Sequence, residues 1–401
     1  MTPRLTGGGR PWPVQTFVPF PAAPELVFAR TAARSRTFSA NDAANGSPVL
    51  IGSAAGTDRD EVAVRARGEL AERVGNVLAA RQAEAGGRGA VVGSYDALRR
   101  RGVPALDPLT WPELHGEARE VRAAELLWVP GEALGSGCEV LVPACAVYLA
   151  HRPPPGCAAP LRPGSTGLAA HRTRSAAGRH AALEVLERHL LWHAWYAEGP
   201  RTVADFALPP PLRNTLTALG TPATFVLLPG PAGTACVVAC LHAPDGSGQT
   251  FGARAACYPS GDGAAAAAAC HEALMVRWSL GTTAARAAWH RMRSADGDPP
   301  HGPLEHALHA YHRQNSLAHL LHRRSAPPPE PAGGQLHHPA EALADLTGND
   351  VILVDTTAPQ DPDGPATVVR LVAPGARRLP ADERVPHAPA GARTRLPHPL
   401  G

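Results

Sequence analysis

The chain has 401 residues, of which 44% are hydrophobic and 18% charged, and its formal net charge is +3. This composition indicates a globular protein with one large core or two modest ones, and it excludes a disordered chain. All 38 basic residues are arginine, which excludes a lysine-containing phosphate loop, Schiff-base chemistry and a lysine general base.

In chain order, the N-terminal stretch MTPRLTGGGRPWPV lacks the apolar region of a signal peptide. Strand-like runs follow at TFVPF, PVLIG, GAVVG, LLWVPG, CEVLVPACAVYLA, ATFVLL, TACVVACLHA, TFGARAAC, DVILVDTT and ATVVRLV. Helical patterns are predicted at 58–84, 172–197, 262–290, 302–323 and 338–346. Many short strands, several adjacent in sequence, among a few long helices predict an α+β fold with antiparallel or mixed sheets.

Two proline-rich breaks, at 151–164 and 325–339, are predicted to be loops or stiff linkers, and the chain is again rich in Pro and Arg from about 375. The seven cysteines are odd in number and form no CxxC pair, so buried free thiols are favoured over disulfides. No basic block indicates nucleic acid, and no apolar run reaches the ~18 residues that cross a bilayer. We therefore expect a cytoplasmic protein with neither nucleic acid nor membrane as a partner.

A loop of small residues followed by an acidic helix recurs three times, over 52–73, 164–188 and 252–277. Residues three and four positions apart share one face of a helix, so the acids of each copy are neighbours. These acids are Glu69 and Glu72 in the first copy, Glu184 and Glu187 in the second, and Glu272 in the third. Each group is followed by an arginine, namely Arg73, Arg188 or Arg277.

The recurrence has two interpretations. A single ExxER pattern is most often solvated helix surface, but three copies after similar loops favour polar faces that meet. Two carboxylates ~4 Å apart then repel by about 4 kcal/mol at an effective dielectric constant near 20, and a hard divalent cation relieves this repulsion. Oxygen-only ligands suit Mg²⁺ completed by substrate phosphates, and the arginines could neutralise polyphosphate charge. The pattern thus predicts a magnesium–nucleotide site.

At these residues the sequence resembles the YcaO family, specifically the azoline-forming cyclodehydratases of ribosomal peptide natural products. The fragments that carry the resemblance, over about residues 45–401, are STGLAAH, HAALEVLERH, GELAER, CHEALMVR, EHALHAYHRQNSLAHLL and DVILVDTTAPQDPDGPATVVRLVAPG. The resemblance implies a YcaO-like α+β fold with pseudo-symmetric acidic helices that hold Mg²⁺ and ATP. By position it implies Glu69, Glu72, Glu184, Glu187 and Glu272 as metal ligands. It places Ser165 and Thr166 on the nucleotide loop, with Arg73, Arg188 and Arg277 near the phosphates.

The resemblance also implies a domain organisation, with residues 1–45 as an N-terminal extension and 46–401 as a YcaO domain that ends in a proline-rich tail, 375–401. The sequence departs from the family pattern at three positions. Many members carry a lysine where this chain has Ala55, an asparagine where it has Thr166 and a glutamine where it has Met275. The departure at Met275 removes a polar group next to the expected phosphates.

The implied reaction is ATP-dependent cyclodehydration of a precursor peptide, in which a Cys, Ser or Thr side chain attacks the preceding amide carbonyl. Phosphorylation of the resulting oxygen lets it leave as phosphate, giving a thiazoline or oxazoline. Two alternatives remain open. One is ATP-dependent thioamide formation with external sulfide. The other, suggested by Ala55 and Met275, is an inactive relative that scaffolds a peptide-modifying complex.

The resemblance implies partners and a role for the tail. Only about 45 residues precede the match, so a separate ThiF-like protein is expected to bind the leader of the precursor peptide. A flavin dehydrogenase is a further candidate partner. Azoline-forming relatives end in PxPxP, and Pro397, Pro399 and Gly401 occupy these positions, with glycine in place of the last proline. A stiff, buried tail could aim its terminal carboxylate at the reacting amide; the alternative is a disordered end.

Overall fold

The computed structural model describes residues 12–40, 48–114, 117–231, 233–257, 262–294, 298–322, 338–358, 366–385, 387 and 396–400. The strands are β1 (Val14–Phe17), β2 (Val27–Arg34), β3 (Val49–Gly56), β4 (Val91–Ser94), β5 (Glu125–Ala133), β6 (Glu139–Pro143), β7 (Leu168–His171), β8 (Thr202–Ala204), β9 (Ala223–Pro229), β10 (Thr234–Leu241), β11 (Thr250–Cys257), β12 (Ile352–Asp355) and β13 (Thr367–Val372). The helices are α1 (Arg59–Glu84), α2 (Tyr95–Arg100), α3 (Ala118–Ala123), α4 (Ala144–Val147), α5 (Arg174–Tyr196), α6 (Pro210–Ala218), α7 (Asp262–Leu280), α8 (Thr283–Ser294), α9 (Pro303–Arg313), α10 (Ser316–Leu321) and α11 (Pro339–Thr347).

The strands form antiparallel sheets, which confirms the predicted α+β class. One sheet has the order β1-β2-β3, a second the order β11-β10-β9-β8, and a third the order β4-β5-β12-β13-β7 with β6 paired to β5. In each sheet one edge strand directly precedes a long helix in the chain. These pairs are β3 with α1, β7 with α5 and β11 with α7. The threefold recurrence in the sequence is therefore a strand–helix unit repeated at one edge of each sheet.

The long helices begin where the sequence supplies a side-chain cap. The Asp58 carboxylate accepts the N–H groups of Asp60 and Glu61 at the start of α1, and the Thr173 hydroxyl accepts that of Ala176 at the start of α5. These contacts satisfy backbone donors that have no partner within the helix.

Two predicted helices are wrong in their continuity. The helix predicted over 262–290 ends at Leu280, and α8 begins after a turn in which the Thr282 hydroxyl accepts the N–H of Ala285 at 3.2 Å. The helix predicted over 302–323 breaks at Gln314, whose φ of 59° is left-handed and ends α9. The side chain of Gln249 stabilises this break, because it donates to the Gln314 carbonyl and accepts the Leu317 N–H.

Short elements account for the other differences. The run CEVLVPACAVYLA is a strand only as far as Pro143 and then forms α4, and TFVPF is a strand only as far as Phe17. The prediction contained neither β2, whose sequence VFARTAAR is rich in small residues, nor β8. Most of the proline-rich break at 325–339 lies outside the described residues.

The central helix α5 is buried on most of its surface, which explains its unusually apolar sequence. Leu186, Leu191, Trp192 and Trp195 lie in a core cluster that also takes side chains from β10, β11 and β13. The five cysteines Cys145, Cys236, Cys240, Cys257 and Cys270 are buried free thiols, as predicted, whereas Cys138 is exposed and Cys157 half-buried.

Two glycines let edge strands lie directly on their helices. A Cβ atom on Gly52 would come within 2.0 Å of the Ala66 carbonyl oxygen of α1, and one on Gly252 within 2.2 Å of the Ala269 carbonyl oxygen of α7. Only a residue without a side chain permits this approach. Within the described ranges, no helix combines the length and the hydropathy that a bilayer crossing requires.

Candidate active site

The glutamates predicted from the repeated helices all bind the backbone of edge strands or of the loop that leads into one. Each of the five carboxylates accepts one N–H group: Ser53 N to Glu69 Oε2 at 2.6 Å, and at 3.0 Å Gly167 N to Glu184 Oε2, Ala253 N to Glu272 Oε2, Ala170 N to Glu72 Oε1 and Ala255 N to Glu187 Oε2. An edge strand presents N–H groups that lack a strand partner. The carboxylates satisfy these donors and are held in fixed positions by them.

The contacts run from one repeat to the next. The first glutamate of each helix binds the strand of its own repeat or the loop before it. The second glutamate of α1, Glu72, reaches β7, and the second of α5, Glu187, reaches β11. The equivalent position in α7 is Met275, which faces the β3 side of the arrangement and belongs to an apolar cluster with Ala55, Phe28 and Trp278. Two of the three junctions between repeats are therefore acidic and the third is apolar.

Burial disfavours the ionised form of four of these carboxylates. Burial, and then the charge of Glu184, raise the pKa of Glu72 to about 8. Burial also raises the pKa values of Glu69, Glu184 and Glu187 above their ordinary range, although arginines oppose the shift. Glu187 is only 3% exposed. Carboxylates with raised pKa values tend to take up protons, and a bound cation would instead stabilise their ionised form.

Arginines accompany the carboxylates. Arg73 donates to Glu69 at 2.6 Å and to the Ile51 carbonyl, and Arg188 lies 3.5 Å from Glu187. Arg254, on β11 between the two strand residues that bind Glu272 and Glu187, was missed by the sequence analysis. Burial would lower the pKa of Arg254, but the surrounding carboxylates of α5 and α7 raise it, and its Nε is buried with no hydrogen-bond partner among the described residues.

A second missed cation is Arg370 of β13. It is 1% exposed, it donates to the Gly164 carbonyl at 2.8 Å, and burial lowers its pKa to about 9. Neither Arg254 nor Arg370 follows an acidic helix, so the repeat gave no signal for them. Both lie inside strand-like runs. An arginine among apolar residues in such a run was the only sign in the sequence that these side chains could be buried and functional.

The remaining predicted residues lie around this group. Ser165 and Thr166 are half-buried in the loop before β7, next to Gly167, whose N–H binds Glu184. Arg277 donates to the Gly248 carbonyl at 3.0 Å, and its placement near phosphates stays a prediction.

The tail is buried along its described length. Pro397, His398, Pro399 and Leu400 are all buried, and Leu400 lies in the core cluster of α5. The indole N–H of Trp195 donates to the Leu396 carbonyl at 2.7 Å. His398 lies close enough to Arg188 for that positive charge to contribute to lowering its pKa, although burial is the larger cause. Gly401 lies outside the described residues, and the catalytic role of Pro397, Pro399 and Gly401 stays a prediction.

Comparison with known proteins gives one family match. The family described as YcaO cyclodehydratase, ATP- and Mg²⁺-binding, matches residues 52–377. An uncharacterized protein of Methanothermobacter thermautotrophicus is 39% identical over 83 residues, a match that spans only 21% of that protein.

Three solved structures share the fold. YcaO from Methanopyrus kandleri bound with AMPPCP and Mg²⁺ has a TM-score of 0.59 and 21% identity over 95% of this chain and 90% of that one. A heterocyclase in complex with substrate and cofactor has a TM-score of 0.65 and 16% identity over 92% of this chain and 50% of that one. A chain of the E. coli microcin synthetase McbBCD complex has a TM-score of 0.61 and 13% identity over 93% of this chain and 90% of that one.

Proposed function

The chain belongs to the YcaO family, whose cofactors are ATP and Mg²⁺, and we propose that it is an ATP-dependent cyclodehydratase that forms thiazoline or oxazoline in a ribosomally made peptide. The observation that carries the proposal is the set of five glutamates, each oriented by a backbone N–H group at the edge of a sheet. Such fixed, oxygen-only donors are what a hard divalent cation needs.

The donor set fits Mg²⁺ that is shared with a nucleotide better than an all-protein metal cage. Among the described residues, no three of these glutamates bring carboxylate oxygens within 4.8 Å of one another. One ion would thus take few protein ligands here. Magnesium commonly binds one or two carboxylates and completes its octahedron with water and substrate phosphates. Glu69, Glu72, Glu184, Glu187 and Glu272 would hold the ions, and Ser165 and Thr166 would line the nucleotide site.

The proposed chemistry starts when a Cys thiol (or a Ser or Thr hydroxyl) adds to the preceding amide carbon, whose oxygen becomes an alkoxide. ATP, bound with Mg²⁺, supplies the phosphoryl group that turns this oxygen into a leaving group. Loss of the amide N–H proton and departure of phosphate form the C=N bond of the azoline. The balance is peptide plus ATP to azoline, ADP and phosphate.

The chain's own residues contribute charge and position. Arg188 and Arg254 lie among the acids and would offset the charge of the transferred phosphoryl group in a buried site, where such contacts are strong. Pro397 and Pro399 flank His398 in the buried tail, and the charge of Arg188 contributes to lowering the pKa of His398. This supports the proposal that the tail reaches the phosphate site, where a group in the tail would accept the amide proton.

We also propose that the enzyme works with a separate ThiF-like protein that binds the leader of the precursor peptide, and that a flavin dehydrogenase oxidises the azoline in a later step. One structural relative is a chain of the E. coli microcin synthetase McbBCD complex, and that complex is also seen with pro-MccB17 bound. The test is reconstitution with and without the ThiF-like protein.

The deciding experiment combines the chain, the ThiF-like protein, a Cys-containing precursor peptide and Mg²⁺·ATP. We expect peptide-dependent phosphate release, with a loss of one water's mass from the peptide for each ring. Glu184→Gln or Glu187→Gln should abolish both while circular dichroism shows a folded protein. Near-normal turnover in both variants would contradict the site assignment.

The same experiment separates the alternatives. Exchange of one oxygen for sulfur in the peptide, seen only when sulfide is added, would indicate thioamide formation. If calorimetry detects no binding of Mg²⁺·ATP, the protein is a scaffold, the possibility that Ala55 and Met275 raised.

A further inference from the structure

A second cluster of titratable side chains lies where the tail crosses α9. One ring nitrogen each of His306 and His398 and one carboxylate oxygen of Glu383 lie within 4.8 Å of one another. His306 belongs to α9, Glu383 to the segment after β13, and His398 to the tail. The tail and the segment after β13 thus meet α9 here, and the proposed reaction uses none of these side chains.

Backbone carbonyls fix the protons on both imidazoles. His398 donates from Nε2 to the Pro380 carbonyl at 2.8 Å, and His306 donates from Nδ1 to the His398 carbonyl at 2.9 Å. In a neutral imidazole the other nitrogen is then an acceptor. These acceptors, His398 Nδ1 and His306 Nε2, are buried and have no partner that meets hydrogen-bond geometry among the described residues. The Ala381 backbone also lies near His306 and opposes the lowering of its pKa by burial, so a metal must compete with this contact. A buried polar atom without a partner costs about 1–3 kcal/mol. A ligand that accepts the lone pair of each ring would remove this cost.

The Glu383 carboxylate is held in place by its neighbours. The Tyr196 hydroxyl donates to Glu383 Oε1 at 2.7 Å, and Oε2 lies 2.8 Å from His387 Nε2. The Glu383 side chain is 5% exposed. Burial alone would lower the pKa of His387, yet its contacts with Glu383 and the Val385 carbonyl raise it. Glu383 is therefore a buried, oriented anion, and its Oε1 lies 3.8 Å from His306 Nδ1.

We propose that His306, Glu383 and His398 form a binding site for a divalent transition-metal ion such as Zn²⁺, which ties the tail to α9. Imidazole nitrogen with a carboxylate oxygen is a ligand set that suits zinc and disfavours magnesium. Histidine ligands of zinc commonly donate their other N–H to a backbone carbonyl, as both of these rings do.

Metal binding requires one change in this geometry. The two imidazoles are stacked, with centroids 3.9 Å apart and planes 15° apart, and lone pairs in parallel rings do not converge on a single point. Coordination must therefore turn at least one ring. The ring that turns would give up its carbonyl contact or draw the tail with it, so bound metal changes the environment of Trp195, which binds the tail at Leu396.

The test uses the full chain, freed of metal with a chelator and then titrated with Zn²⁺ in the absence of nucleotide. We expect about one Zn²⁺ per chain, a change in tryptophan fluorescence and a rise in the melting temperature, because a ligand that binds only the folded state stabilises it. X-ray absorption should show nitrogen and oxygen ligands at about 2.0–2.2 Å. A sulfur shell near 2.3 Å would instead indicate binding to one of the cysteines and would overturn the proposal.

Variants make the assignment specific. His306→Asn and Glu383→Gln should each lower Zn²⁺ affinity by at least tenfold, whereas His312→Asn, which changes an exposed histidine of the same helix, should leave it unchanged. Circular dichroism checks each fold. If His306→Asn does not fold, the nearly isosteric Glu383→Gln decides the matter. Absence of stoichiometric binding in the wild type, or equal affinity in Glu383→Gln, overturns the proposal.

Discussion

At the residue scale, the five glutamates were predictable because their chemistry repeats along the chain. A spacing of three residues on a helix puts two carboxylates on one face whatever the rest of the fold does. The sequence could not supply their hydrogen-bond partners, since an N–H group becomes available only where a strand lies at the edge of a sheet. Arg254 could not be predicted for the same reason, because it meets the acids through the pairing of β10 with β11.

The raised pKa of Glu72 predicts proton release on metal binding. With a pKa of about 8, this carboxyl is mostly protonated at pH 7, and a carboxylic acid must lose its proton to ligate Mg²⁺. Binding of Mg²⁺·ATP at pH 7 should therefore release close to one proton from Glu72, and less at pH 9. Calorimetry in buffers of different ionisation enthalpy measures this number directly.

Glu72→Gln is the control, since it should reduce the proton release while circular dichroism shows an unchanged fold. The sign for stability follows from the same shift. The folded-state pKa lies above the ordinary value of 4.5 for a glutamate, so between about pH 4.5 and 8 the folded chain keeps a proton that the unfolded chain has lost. The free energy of unfolding of the metal-free protein should therefore fall as pH rises through this window. If the free energy of unfolding instead rose with pH through this window, Glu72 would not be protonated in the folded protein.

At the element scale, the long helices and the paired strands were predictable from hydrophobic periodicity, and the breaks were not. The period continues across Gly281 and across Gln314, so the pattern alone predicts single helices over 262–290 and 302–323. The breaks depend on contacts with other parts of the chain, such as the side chain of Gln249 at the end of α9. Tertiary contact decides these boundaries.

The close approach of β3 to α1 predicts opposite effects for two glycine substitutions. A Cβ at position 52 would overlap the Ala66 carbonyl and the Leu70 backbone, while one at Gly68, within α1, meets no atom within 4 Å. Gly52→Ala should destabilise the fold by about 1–3 kcal/mol, and Gly68→Ala should stabilise it by about 0.5–1 kcal/mol. Urea unfolding measures both. Equal effects would show that β3 does not lie against α1 in this way.

The apolar junction predicts a gain of function at Met275. Side-chain and N–H directions alternate along a strand, so the Ala55 N–H points to the same open edge of β3 as that of Ser53, which binds Glu69. The side-chain oxygen of a glutamine at position 275 could accept this N–H, as Glu72 and Glu187 accept N–H groups at the other two junctions. We expect Met275→Gln to tighten Mg²⁺·ATP binding by up to about tenfold, because the amide N–H of the introduced side chain, oriented by this contact, can donate one net hydrogen bond of about 0.5–1.5 kcal/mol to the nucleotide phosphates.

Met275→Leu is the matched control, because it keeps the volume and lacks an acceptor. Calorimetric titration of both variants measures the difference. If glutamine and leucine give the same affinity, the third junction does not contribute to the nucleotide site, and the two acidic junctions hold it alone.

At the scale of the whole molecule, the recurrence along the chain becomes three strand–helix units whose acids bind from one unit to the next. The domain division predicted at residue 45 stays a prediction. Within residues 1–45, β1 pairs with β2 and β2 pairs with β3, so both belong to the sheet that orients Glu69. The N-terminal strands thus support the site without supplying a ligand to it.

The tail packs against α5, which holds two of the five glutamates. Deletion of residues 397–401 removes Leu400 from the core, where it is 3% exposed, and should lower the free energy of unfolding by about 1.5–3 kcal/mol. It should also abolish ring formation, because the chain end would no longer reach the reacting amide. Affinity for Mg²⁺·ATP should persist, because all five glutamates lie on other elements.

Leu400→Ala separates the loss of stability from the loss of ring formation, since it removes the packing and keeps the end of the tail. We expect that variant to be less stable but active, as judged by mass spectrometry of the peptide product. A deletion variant with an unchanged rate of ring formation would show that the tail only packs against α5 and takes no part in the reaction.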